Sequence, residues 1–183
     1  MTGATEIQRK GAMTSRVQVE KAAEDLLRTT WMTDGVDVGD CPLPVDPFHI
    51  AERLGLKVYK QALEADVSGM LAKRQGRDPE VYINANDSLN RQRFSCAHEI
   101  GHYSKRVTGR DDDSWGYIDR RGPSSSQGTD PEEIYANQFA AALLMPERKV
   151  RALYEDLDPA AMAVAFGVSL GAMKFRLENL GLT

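Results

Sequence analysis

The sequence predicts an α+β fold: a small, mostly antiparallel three-stranded sheet packed with one functional helix and several further helices. Three observations predict it. Short β-rich segments cluster between residues 56 and 85, helical periodicity flanks them on both sides, and one of those helices carries two histidines four residues apart.

The elements follow in order. Residues 1–13 are polar and aperiodic and are expected to form a flexible tail. After Thr14–Ser15, Val19, Ala22, Ala23, Leu26 and Leu27 recur at helical spacing. A loop rich in Asp, Gly and Pro leads to Asp46–Pro47, a cap followed by a first helical residue, and Gly55 ends that short helix. Leu56–Gln61, Val67–Arg74 and Glu80–Ala85 read as strands separated by turn residues such as Gly76 and Pro79. Asp87 or Ser88 then caps a helix running to about Arg106. Residues 108–128 shift to Asp, Gly, Arg and Ser and read as a surface loop. A helix restarts at Asp130–Pro131 and stops near Pro146, and the tail from Leu157 reads as two short helices broken at Gly167-Val168-Ser169. The expected organisation is a main domain over 14–154 and a helical appendage over 155–183 with a helix-turn-helix-like outline, packed on it.

Composition narrows the function. With 42% hydrophobic and 27% charged residues, the chain can bury a core without staples. A net charge of −4 argues against a protein that grips nucleic acid mainly by charge. The tail agrees: its last helix offers Lys174 and Arg176 beside Glu178, and Glu155, Asp156 and Asp158 lie upstream. Direct nucleic-acid contact is therefore not expected, although a DNA-binding regulator remains a competing class. Two distant cysteines, Cys41 and Cys96, fit reduced thiols. No stretch approaches the ~18–20 apolar residues of a membrane span, and no signal-peptide core opens the chain, which points to the cytoplasm.

The chemistry concentrates in His98-Glu99-Ile100-Gly101-His102. On a helix, residues four apart lie about 40° from each other, so both imidazoles can reach one metal ion. Glu99 lies to one side, where its carboxylate can take a proton from a water at the metal without binding the metal itself. Gly101 lacks a side chain where a neighbouring backbone could come close. A catalytic zinc needs a third protein ligand. The remaining histidine, His49, reads as a partly exposed helical residue, so an acid from a second helix is favoured. Asp130-Pro131-Glu132-Glu133 opens such a helix, but Glu133 could equally complete a capping box with Asp130. Asn137, one turn later, could hydrogen-bond a histidine ligand. Tyr103, Tyr135 and Arg91 are candidate donors to an oxyanion, and Arg91 and Arg93 also read as structural ion-pair formers. A peptide could add as a strand at a sheet edge, beside Val67–Arg74.

Arg91–Ser104 ("RQRFSCAHEIGHYS") followed by Glu132–Pro146 ("EEIYANQFAAALLMP") resembles the ImmA/IrrE family of zinc metallopeptidases, and the tail "AVAFGVSLGAMKFRLENLGL" is similar to that family's ending. The resemblance implies a zincin-like minimal domain and a gluzincin-like site with one Zn2+. His98, His102 and Glu133 would be ligands, with Glu133 preferred to Glu132, and Glu99 the general base. It also implies a protein substrate, a helix-turn-helix repressor of a stress-response or mobile-element regulon. Tyr135 stands where that family often has an acid, and the 108–128 loop is longer than usual. The competing expectation is a non-catalytic, metal-containing regulatory or antitoxin-like binding module.

Overall fold

The structure is a computed structural model describing residues 15–106, 114–120 and 130–182 of the chain. The expected tail over 1–13 lies outside these residues, as does most of the 108–128 segment. Helix α1 (Arg16–Thr30) starts at a capping box in which Ser15 and Gln18 satisfy each other's backbone N–H, and it buries Val19, Ala23 and Leu27 at four-residue spacing. Helix α2 (Pro47–Arg53) is capped by Asp46 and leads into strands β1 (Lys57–Gln61), β2 (Val67–Lys73) and β3 (Glu80–Asn84). Helix α3 (Leu89–Arg106) carries the histidines. Strand β4 (Trp115–Arg120) follows, then helices α4 (Pro131–Leu144), α5 (Glu147–Tyr154), α6 (Pro159–Phe166) and α7 (Leu170–Asn179). Helix α5 had no counterpart in the sequence reading.

The sheet has four strands and is mixed, which corrects the expected three-stranded, mostly antiparallel one. Its order is β1-β3-β2-β4, with β1 parallel to β3 and the other two pairs antiparallel. Strand β3 inserts between β1 and β2, so β1 meets it running the same way. The fourth strand comes from the stretch expected to be a surface loop: Lys73 pairs with Trp115 and Leu71 with Tyr117. Strand β2 is therefore interior and has no free edge, so a peptide cannot add beside Val67–Arg74.

Helix α3 lies between the sheet and α4, and every residue from Ser95 to His102 is buried. Gly101 is where α4 comes closest: a Cβ there would sit 3.0 Å from Ala136 Cα. Both cysteines are free and buried. The tail helices, bent by 108° at their junction, bury Met162, Phe166, Met173 and Leu177. Two buried guanidiniums tie them down. Arg93 donates to the carbonyls of Val45, Phe166 and Gly167, and Arg176 donates to the Met145 carbonyl and pairs with Glu20. Among the described residues no single helix is long and apolar enough to cross a membrane.

Candidate metal centre

Helix α3 presents His98 and His102 on one face, and the first turn of α4 presents Glu133 to them. The Nε2 atoms of the two histidines are 3.0 Å apart. Glu133 Oε1 lies 3.1 Å from His102 Nε2, and Oε2 lies 3.4 Å from His98 Nε2. One donor atom from each of the three falls within 4.8 Å of the others. The ambiguity over Glu133 is resolved at the helix start. Asp130 caps α4 by accepting from Glu132 N, and the Glu133 carboxylate faces the histidines instead of turning back on the cap.

The arrangement suits a cation. Asn137 Oδ1 lies 3.1 Å from His98 Nδ1 and accepts its proton, which leaves the Nε2 lone pair facing Glu133. Two imidazole lone pairs 3.0 Å apart repel unless a proton or a cation lies between them. With no metal, protons take that role. Burial lowers the pKa of His98, but its bond to Glu133 and the charge of Glu99 outweigh this and raise it. The bonds from His102 and His98 hold the Glu133 carboxyl well below the usual range. Nitrogen and carboxylate donors in this number match a catalytic zinc site with an open position.

Glu99 is fully buried, and among the described residues neither carboxylate oxygen has a hydrogen-bond partner. Burial pushes its pKa up to about 8, against the opposing influence of His98. A buried carboxyl group without a hydrogen-bond partner is rare in a folded protein, and this one is next in sequence to His98, a member of the group that could hold a metal ion. Gly69 of β2 makes room for it, since a Cβ there would lie 2.8 Å from Glu99 Oε1.

The other candidates contact residues outside the His98–His102–Glu133 group. Tyr135 is buried, with its hydroxyl 3.2 Å from Ser104 Oγ. Arg91 donates to Ser68 Oγ at 3.0 and 3.1 Å and pairs with Asp119 at 3.3 Å. Tyr103 packs against the apolar core, five residues past His98 and so about 140° around the helix from it. His49 is exposed, edge-on to Trp31. Two neighbours of the site were missed in the sequence. Tyr117 lies flat on His102, with ring centroids 4.3 Å apart and planes 12° apart. Its hydroxyl donates to Glu132 (2.8 Å) and accepts from Arg106 (2.5 Å). Asp119, on the same strand, anchors Arg91. The alternation Trp115, Tyr117, Asp119 was the signal available for both.

Fold and site together define an α+β domain with a two-histidine, one-carboxylate group that could hold a metal ion. The chain belongs to the peptidase M78 family: the profile of its IrrE N-terminal-like domain matches residues 51–178. This agrees with the resemblance carried by the motif helices and makes the chain a member of a metallopeptidase family. No curated protein sequence matches it. Among solved structures it is similar to a Mycobacterium tuberculosis transcriptional regulator, with 17% identity over 88% of this chain and a TM-score of 0.56. The likeness is one of fold, and the chain covers 46% of that regulator's length.

Proposed function

We propose that the protein is a zinc-dependent endopeptidase that cleaves a regulatory protein partner. The observation carrying this reading is the pairing of the His98–His102–Glu133 group with a buried, unpartnered Glu99 carboxylate beside it. A site that held metal only for structure would have no use for that carboxylate.

His98, His102 and Glu133 would hold the ion, and Asn137 keeps His98 in the tautomer that offers Nε2. Zinc, when bound there, supplies Lewis acidity that makes a water nucleophilic near neutral pH and polarises a peptide carbonyl. Glu99 accepts the proton of the attacking water and passes it to the leaving amine. Tyr117, stacked on His102, fixes the plane of that ring. The substrate, a helix-turn-helix repressor, follows from the resemblance of the two motif helices to ImmA/IrrE proteins. The tail serves packing: Arg176, one of two basic residues on α7, is spent on Glu20 and the Met145 carbonyl.

The experiment is to express the protein and its Glu99→Gln variant separately in the native host and map new N-termini by mass spectrometry. The reading expects a cut within a helix-turn-helix repressor that the variant does not make. Identical N-termini in both cultures would contradict it.

A further inference from the structure

Two consecutive residues of β2 face the same helix. Ser68 is buried, and its Oγ accepts from Arg91 Nε at 3.1 Å and from Arg91 Nη2 at 3.0 Å. Gly69 faces α3 as well, since a Cβ there would point at the Glu99 carboxyl. In a regular strand neighbouring side chains point to opposite faces. The pairing with β4 shows how both can face α3. Val67 pairs with Arg120 and Gly69 with Asp119, so two steps along β2 match one along β4, and Ser68 is the extra residue of a bulge.

Arg91 holds both neighbours of Gly69. It bonds Ser68, which precedes Gly69 in the chain, and its Nη2 lies 3.3 Å from Oδ2 of Asp119, which faces Gly69 across the ladder. Arg91 and Glu99 stand on one rod, α3. The same helix therefore carries the carboxyl and, through Arg91, fixes the strand residue that borders it. The Glu99 carboxyl has no hydrogen-bond partner among the described residues, so packing against neighbours such as Gly69 sets its direction.

We propose that Arg91 is a positioning residue for Glu99: its fork fastens the Ser68 bulge and Asp119 to α3 and so holds Gly69 against the carboxyl that serves as base. The inference rests on the reading of Glu99 as the base and adds the residue that keeps it in place. A contribution to stability alone is the competing account, and the two differ in one respect. A contact that only stabilises the fold matters equally whatever stands at position 99. A positioning contact matters only while a carboxylate is there to be positioned.

Acetohydroxamic acid reads the placement of Glu99 without catalysis, because it binds zinc as an anion and a neighbouring carboxylate can accept the proton it gives up. It is titrated calorimetrically into zinc-loaded wild type, Arg91→Met, Glu99→Gln and the double variant, with zinc content measured in each. Arg91→Met keeps most of the stem and removes the donors. Each single variant is expected to weaken binding by at least about ten-fold, and the double variant to bind no more weakly than Glu99→Gln alone. Wild-type affinity in Arg91→Met, or losses that multiply in the double variant, would overturn the inference and leave the metallopeptidase reading intact. If Arg91→Met does not fold or hold zinc, Ser68→Ala takes its place in the same cycle, and its loss is again expected to vanish in the Glu99→Gln background. Failure of the wild type to bind the probe, or equally tight binding by Glu99→Gln, would overturn the inference together with the reading beneath it.

Discussion

Gly69 and Glu99 share a space that only one of them can fill: a Cβ on Gly69 would lie 2.8 Å from Glu99 Oε1. Strand β2 therefore bears a residue without a side chain directly over the proposed base, at the place where its register with β4 shifts. Gly69→Ala should push the carboxylate aside while leaving the three donors on α3 and α4 alone. Peptide cleavage should fall by about 10²–10⁴, the contribution of a general base, with zinc content retained. A variant that keeps full activity would show that Glu99 has no fixed position to lose.

The stack of Tyr117 on His102 gives a second expectation. Tyr117→Leu removes both the ring and its bonds to Glu132 and Arg106 and should weaken zinc binding by about 10–100-fold, as loss of a ligand's supporting contacts does. Tyr117→Phe keeps the ring and should recover most of that loss. Competition with a chromophoric chelator measures both, and equal affinities in all three proteins would count against the role.

Burial of Glu99 makes the stability of the metal-free protein depend on pH in a definite direction. The folded carboxyl binds its proton up to about pH 8, whereas the unfolded one releases it near its ordinary value of 4.5. The stabilising effect of the bound proton is thus fully present below about pH 4.5 and is lost as pH rises towards 8, at a cost on the order of 3 kcal/mol by pH 7. In EDTA, urea unfolding between pH 5 and 8 should show Glu99→Gln gaining on the wild type as pH rises. Parallel curves would mean that the carboxylate is better solvated than its burial indicates.

Helix α3 approaches α4 through Gly101, and the contact is with backbone, which cannot turn aside as a side chain can. Gly101→Val should force the helices apart, destabilise the fold by about 1–3 kcal/mol, and carry Glu133 away from the histidines. Loss of stability and loss of zinc should therefore appear together in this variant, measured by unfolding and by metal analysis. Unaltered metal affinity would uncouple the packing from the site.

The histidines and Glu99 could be read from five consecutive residues because helical periodicity fixes their relative directions. Glu133 could not be read from geometry alone, since the same residue at the same position could cap a helix. What decided it is a tertiary fact, the packing of α4 beside α3. Strand β4 stayed hidden because Asp, Gly and Arg around Trp115–Arg120 read as a loop, and only pairing with β2 turns that stretch into an edge. The order of the sheet was equally hidden, because the parallel match of β1 to β3 is a contact between distant residues that local pattern does not encode. Gly69 left a faint sign, since a glycine inside a strand often marks close approach. Nothing nearby in sequence says that the approaching group is Glu99.

The central claim is that one cation is held by His98, His102 and Glu133, and elemental analysis of protein purified without an affinity tag tests it most directly. The account predicts close to one zinc per chain, lost in His98→Ala and in Glu133→Ala and kept in Glu99→Gln. A wild-type protein without metal affinity, or a His98→Ala variant that still retains its zinc, would contradict it.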